Sequence, residues 1–294
     1  MLFTLTSDHN SASSLMESEQ EISIRHFEKE SDYFAFESLQ KETWGTDIEE
    51  VVTASLAKIV QKIGGIAAGA FDADGEMAGF VFGFTGFRDG KPVHWSHMLA
   101  VTPAYRDAGI GRRLKLFQRD FLLGMGISEV FWTYDPLAGK NGYLNLNTLG
   151  AEVLEYVQDM YGSGEDSVLF RGIGTDRFIV VWRIADKKVE DMLWKKHCFD
   201  REPFLASPLA VCSSVGNDPA SSPVSNLDLH DKRLRVEVPQ DVHQLMSISI
   251  ASAAEWRKKT REGFQRYMQK GYRVVGFYLD HDSGRCFYCL ESPS

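Results

Sequence analysis

The chain has 294 residues, a net charge of −9, and ordinary apolar and charged fractions of 44% and 25%. That acidic balance argues against nucleic acid or an anionic membrane as the main partner. No run of 18 apolar residues reads as a membrane span, no secretory signal is visible, and four cysteines are too few for a disulfide scaffold. The cytoplasm is therefore the default location.

Residues 1–20 are rich in Ser, Asn, Asp and Glu without periodicity and read as a disordered leader. Glu21–His26 alternates as a half-buried strand. Ser31 is placed to cap a helix running to about Trp44, with Tyr33, Phe36 and Leu39 inward and Gly45 breaking it. Ile48, Val52, Leu56, Ile59 and Ile63 then keep helical spacing as far as Gly64-Gly65. After that the period changes. Ile66–Phe71, the turn at Asp74-Gly75 and Glu76–Phe84 read as a hairpin, and Asp89-Gly90 turns into a third strand, Val93–Val101.

That strand ends in a short apolar run, Ser96–Val101, which Pro103 stops because proline offers no N–H to a ladder. The turn Arg106-Asp107-Ala108-Gly109-Ile110-Gly111 follows. Next comes an amphipathic helix, with Ile110, Leu114, Phe117 and Phe121 at helical spacing and Arg112, Arg113, Lys115 and Arg119 between them. Gly124 and Gly126 end it, and Ile127–Tyr134 is the next strand. Gly109 and Gly111 allow close approach of a ligand to the backbone. The first amides of the helix lack partners within it, and the helix dipole favours an anion there. With Arg106, Arg112 and Arg113 at hand, a pyrophosphate is the natural guest. A dinucleotide fold would need a third glycine where Leu114 stands, and the Lys-Ser/Thr of a P-loop is absent.

The pattern R-x-x-G-x-G after Leu99-Ala100-Val101-Thr102-Pro103 resembles motif A of the GNAT N-acetyltransferase superfamily. The resemblance implies an α/β (α+β) GNAT fold over residues 21–184, a mixed and mostly antiparallel sheet flanked by helices. It implies acetyl-CoA as co-substrate and no metal. It places the pyrophosphate on Arg106, Asp107, Ala108, Gly109, Ile110, Gly111 and Arg112, and the pantetheine arm along the backbone of Leu99, Ala100 and Val101. The order strand, two helices, three antiparallel strands, read from periodicity alone, is also that of GNAT domains.

Beyond Tyr134, Asn141–Leu149 is a short helical piece ending at Gly150, Ala151–Val157 is a strand, Gly162-Ser163-Gly164 is a flexible tip, and Phe178–Ile184 is a strong strand. Three blocks are similar to a subgroup of GNAT acetyltransferases without a settled substrate. They are His97–Val101, the run Asp135-Pro136-Leu137 to Leu149-Gly150-Ala151, and Thr175–Phe178.

Residues 185–232 read as a linker or insertion, with a charged helical piece near 186–197 and a Ser/Pro/Asn-rich stretch over 206–226. Residues 233–294 form a C-terminal β–α–β unit: Leu234–Val238, a helix Ala251–Lys270 and Tyr272–Leu279. Ala253, Trp256, Thr260, Phe264, Tyr267 and Met268 share one side of that helix. In both Phe117–Asp135 and Phe264–Asp280 an FQR triplet begins seven residues before a glycine. The unit is then either a degenerate GNAT half or a generic extension of the sheet, in neither case with a second acetyl-CoA site. The tail could cap an acceptor pocket, make a homodimer contact or extend the sheet. Cys286-Phe287-Tyr288-Cys289 lacks the second ligand pair of a zinc site and reads as two buried thiols.

Acetyl transfer needs a polarised thioester carbonyl, a neutral amine and a proton for the leaving thiolate. By resemblance, a strand amide near Leu99 serves the first. Where the family often has a Glu base, this chain has His97, either a base acting through water or a pocket-lining residue. His94 lies at opposite strand parity and is not expected in the same pocket. The family's Tyr acid is replaced by Leu146, leaving Tyr143, or Tyr134 at the strand end. Asp135, Asp176 and Arg177 are acceptor-side candidates, or else a turn starter and an ordinary ion pair. The expected function is acetylation of a primary amine on a small molecule. The alternative is an acyl-CoA-binding or sensing module without turnover.

Overall fold

Alternating apolar runs and glycine turns build a first sheet of seven strands: β1 (Ser23–His26), β2 (Ile66–Phe71), β3 (Met77–Arg88), β4 (Lys91–Val101), β5 (Glu129–Tyr134), β6 (Glu152–Val157) and β7 (Arg177–Arg183). Their spatial order is β1-β2-β3-β4-β5-β7-β6. The computed structural model describes residues 22–45, 51–162, 172–194, 198–214 and 222–293. The leader read into residues 1–20, Ile48, and Ser163-Gly164 of the glycine tip lie outside the described residues. All neighbouring strands are antiparallel except β4 and β5, which run parallel.

Helices α1 (Glu30–Trp44) and α2 (Ala54–Lys62) cover one face of β2–β4, where Phe36 packs on Phe80 and Phe82. Helix α3 (Ile110–Gly124) covers the other, setting Ile110 and Leu114 against Ala68 and Val81. One expectation needs correction here. The cap of α1 is not Ser31, which lies inside the helix. Instead, Asp32 accepts the amides of Glu28 and Lys29 at 2.9 and 3.0 Å. Leu56, Ile59 and Ile63 keep helical spacing but are 46%, 57% and 66% exposed, while Ala57 and Val60 are buried. The helix seats Val60 against Gly65, where a Cβ would come within 2.3 Å of the valine.

Helix α4 (Gly139–Gly142) runs into a π-helical turn, Tyr143–Thr148, and after β7 comes α5 (Lys187–Leu193). A second sheet follows, built from β8 (Leu209–Ser213), β9 (Pro223–Ser225), β10 (Arg233–Val238), β11 (Arg273–Asp280) and β12 (Arg285–Glu291), in the order β11-β12-β10-β8-β9. Between β10 and β11 lie α6 (Val242–Ile248) and α7 (Ile250–Gln269). The stretch 206–226, read as a linker, thus supplies two strands, and Ala210 and Val211 of β8 are fully buried. The C-terminal unit does not extend the first sheet. Its β10 and β11 are not neighbours as β4 and β5 are, because β12 lies between them. The repeat is offset: the order β8-β10-β12-β11, one parallel pair followed by two antiparallel pairs, reproduces β4-β5-β7-β6.

One core joins the sheets, running from Val130, Trp132 and Phe178 through Trp256 and Phe264 to Val236 and Tyr288. Phe264 of α7 packs on Phe178 at 4.8 Å and on Tyr288 at 5.5 Å between ring centroids. Beside it lies a polar clamp. Arg257, only 2% exposed, grips both oxygens of Asp135 at 2.8 and 2.5 Å. Arg261 grips Asp176 at 2.6 and 2.8 Å and reaches Asp159 at 3.1 Å. Removing one partner of such a buried pair strands the other charge away from water. Arg257→Met is therefore expected to lose about 3 kcal/mol in a denaturant titration, and a loss below ~1 kcal/mol, the range of exposed pairs, would show that the clamp adds little.

Candidate active site at the β4–β5 fork

β4 and β5 pair only at His94–Val130 and Trp95–Phe131. From Ser96 to Val101, β4 pairs with β3 on one side and, among the described residues, with no strand on the other. These six residues span five steps of about 3.3 Å, an open backbone edge of roughly 16 Å. The fork begins at a β-bulge: Ser96 pairs with Gly83 and Met98 with Phe82, leaving His97 as the extra residue. Gly83 permits this, since a Cβ there would stand 2.4 Å from His94 Nε2 and 2.5 Å from the Trp95 carbonyl. Bulges bend a strand and end its pairing. His97 is exposed and turns its ring to Phe82 and Phe84, at 6.3 and 5.6 Å, on the α1 side. His94 faces α3, so the two histidines stand on opposite faces, as their parity suggests.

The other end of the open edge leads into the glycine turn. Asp107 and Gly109 both have positive φ, 64° and 75°, and Gly109 caps α3 in the left-handed region. The first helical bond is Arg113 N–H to the Gly109 carbonyl at 3.1 Å. The amides of residues 110–112 thus have no acceptor within the helix. A Cβ at Gly111 would meet only Leu99 and Val101 side chains, at 3.6 and 3.9 Å, which is ordinary contact. Packing does not require a glycine there, whereas a ligand backbone lying on the amides would. Arg112 donates to the Leu193 carbonyl, and Arg113 to the Ile22 carbonyl at 2.6 Å. Arg106 is exposed, held only by a long bond to the Val101 carbonyl at 3.4 Å. Leu99, Ala100 and Val101 line the open edge, and Arg106, Asp107, Ala108, Gly109, Ile110, Gly111 and Arg112 form its end. The structure thus brings the cofactor-side residues together on one continuous surface.

A buried polar chain lies under the fork on the α3 side. Lys115 Nζ donates to Ser96 Oγ at 2.7 Å and to Gln118 Oε1 at 3.2 Å, and sits 4.0 Å from the centre of the Trp132 ring. Ser96 also bonds Gln118 at 3.1 Å, Gln118 Nε2 meets His94 Nε2 at 3.1 Å, and His94 Nδ1 meets Thr85 Oγ1 at 3.2 Å. Burial lowers Lys115 to about 7. Burial, with Lys115 adding to it, lowers His94 to about 3, so this imidazole is neutral. The helical pattern sets Lys115 between apolar positions, on the solvent side. The structure buries it instead, because α3 crosses the fork and turns this second-turn position toward β5.

The acceptor-side candidates are held by the clamp. Asp135 receives Arg257, lies 3.6 Å from Arg177 and accepts the Leu137 amide at 2.8 Å. Asp176 binds Arg261 and the Tyr156 hydroxyl. Burial is the largest influence and works to raise the Asp176 pKa, but the bonds from Arg261, Tyr156 and the Asp159 amide, with the charge of Arg257, together outweigh it and leave the carboxyl below its ordinary value. Tyr143 stands 53% exposed on the π-helical turn. Tyr134 is buried, and burial raises its phenol above the ordinary value. No group of His, Cys, Asp and Glu among the described residues could hold a metal ion. Among the described residues, no helix is long and apolar enough to cross a membrane.

The forked parallel pair, the glycine turn between its strands and the sheet order define a GNAT-like fold, to which a second sheet is added. Over about 55% of the chain it is structurally similar to many GNAT acetyltransferases. One is a putative acetyltransferase from Salmonella typhimurium with its cofactor acetyl-CoA, at TM-score 0.45 and 16% identity over 56% of this chain and 95% of that one. Another is the ribosomal-protein-S18-alanine N-acetyltransferase from Escherichia coli, at 0.44 and 18% over 56% and 95%. A third is Arabidopsis thaliana NAA60 in complex with acetyl-CoA, at 0.43 and 15% over 55% and 99%. No family model and no curated protein matches the sequence.

Two measurements follow from this geometry. Gly111→Ala should leave thermal stability unchanged or raise it by up to about 1 kcal/mol, whereas Gly109→Ala should cost about 1–2 kcal/mol for its left-handed φ. A destabilised Gly111→Ala would make that glycine structural. The second concerns pH. Between about 7 and the ordinary lysine value of 10.5, the unfolded chain holds the Lys115 proton and the folded chain does not. Stability therefore rises with pH across that window. Relative to Lys115→Met, the wild type should gain a few kcal/mol from pH ~7 to ~10 in denaturant titrations, and a pH-independent difference would contradict the assignment.

Proposed function

We propose that this chain is an acetyl-CoA-dependent N-acetyltransferase acting on a primary amine of a small molecule. The observation that carries this reading is the continuous surface from the fork to the glycine turn. An extended arm bearing amides can pair with the free edge of Ser96–Val101, and a pyrophosphate can sit on the amides of residues 110–112 beside Arg106. Acetyl-CoA would supply the activated acyl group. On the α1 side of the fork, His97 would draw the proton from the incoming amine, directly or through water. Asp135, Asp176 and Arg177 shape the acceptor side through the clamp rather than by touching the acceptor.

A second reading is a non-catalytic acyl-CoA-binding or sensing module. It is favoured by Leu146 at the family's tyrosine position and by the commitment of all three acceptor-side residues to ion pairs. Calorimetric titration with acetyl-CoA tests what the two readings share. Wild type should bind, Arg106→Ala should bind about tenfold more weakly, ~1.4 kcal/mol, and Gly111→Asp should not bind. An amine panel with thiol-release detection then separates them. Turnover that His97→Ala lowers supports the enzyme, and binding without turnover of any amine supports the module.

A further inference from the structure

The polar chain under the fork has a fixed direction. Thr85 Oγ1 donates to the Gly64 carbonyl at 2.8 Å, so it accepts from His94 Nδ1–H. His94 Nε2 must then accept from the Gln118 amide nitrogen, and Gln118 Oε1 accepts from Ser96 and Lys115. Lys115 is left as donor to both Ser96 and Gln118. As an ammonium it has a third N–H, directed at the Trp132 ring on β5. As a neutral amine it keeps both hydrogen bonds and gives up only that third proton. Lys115 can therefore release one proton without breaking the network.

Its position is as specific as its bonding. Lys115 Nζ bonds a β4 side chain, Ser96, and lies over a β5 ring, Trp132. Each of these residues is the first beyond the last paired positions, Trp95 and Phe131. The ammonium thus bridges the two strands where they separate. The groups facing it come from β4 (His94, Ser96), β5 (Trp132) and α3 itself (Gln118), with Thr85 of β3 behind His94. His94 is the only one that titrates near neutrality in ordinary surroundings, and no carboxylate pairs with Lys115 among the described residues.

We infer that Lys115 is the acid of the transfer step, returning a proton to the thiolate that leaves when an amine displaces it from an acyl-CoA at the fork. This rests on the acetyl-CoA reading above. The amine nitrogen bonds to the acyl carbon, and the carbon–sulfur bond breaks with its electron pair on sulfur. The sulfur then takes a proton from the Lys115 ammonium. The proton shed by the attacking nitrogen passes to His97, directly or through water, and the neutral lysine regains its own from solvent once the products leave. The assignment fills the place left by Leu146, and a lysine that titrates near 7 can both give and regain a proton at neutral pH.

The test needs no acceptor. CoA itself is bound to the protein, and the ultraviolet absorbance of its thiolate is followed against pH, with desulfo-CoA as blank. A free thiol ionises near pH ~8.5, and a facing ammonium favours the thiolate. In wild type the bound thiol should ionise at least about one pH unit below free CoA, and in Lys115→Met at or above it. Bound CoA that titrates like free CoA in wild type overturns the inference, and this needs no variant to fold. A lowered value that persists in Lys115→Met assigns the effect to the helix end and also overturns it. If wild type binds neither CoA nor acetyl-CoA, the acetyl-CoA reading itself falls, a result distinct from both.

Discussion

Past Trp95, β4 and β5 stop pairing, and the backbone of Ser96–Val101 is complete on one side only. Backbone donors and acceptors shielded from water are costly when unpaired, so a fork of this kind persists only where something holds the strands apart. Here the cause is local. Gly83 admits the bulge at His97, the bulge bends β4, and α3 starts from the far end of the same strand. At the base of the fork, on the α3 side, Lys115 links Ser96 of β4 to the Trp132 ring of β5 where the hydrogen-bond ladder stops. The glycine turn then matters because it lies at the end of an unfinished strand. A helix N-terminus alone would be a weak anion site, but joined to an open backbone edge it fits a long ligand with amides along its length and phosphates at its end.

The second sheet holds this arrangement from outside. Its order repeats that of β4–β7, but the R-x-x-G-x-G pattern does not recur in the sequence between β8 and β10. Its role is accordingly one of packing. α7 inserts Phe264 against Phe178 and sends Arg257 and Arg261 to the carboxylates at the ends of β5 and β7. The π-helical turn is pinned as well: Asn147 donates to the Phe277 carbonyl at 2.6 Å, and Gly142 lies so close to Tyr288 and Phe277 that a Cβ would not fit. Elements that flank the fork are thereby fixed by residues far along the chain, which links the rigidity of the site to the integrity of the C-terminal half.

Local sequence revealed the first sheet, α3 and the glycine turn at its start, because those rest on periodicity, turn glycines and neighbouring residues. What it hid depended on distance. Arg257 looked like one more charge on an amphipathic helix, and its partner lies 122 residues away. β8 was concealed by the Ser- and Pro-rich segments around a four-residue apolar run, Leu209–Cys212. Lys115 carried a usable signal, since it lies seven residues before the buried Leu122 and three before the buried Gln118, on the helix stripe that enters the core. Charge outweighed position in placing it at the surface. Nor was it legible locally that Asp135 and Asp176 pair with two arginines of α7.

The central claim is that one ligand lies along the open edge of β4 and ends on the first amides of α3. Residue-resolved amide hydrogen exchange with and without saturating acetyl-CoA tests it directly. Exchange should slow in two stretches together: the amides of Ser96–Val101 that point away from β3, and those of residues 110–112. Binding that leaves both stretches unchanged, or that protects the turn without the strand, would contradict the account.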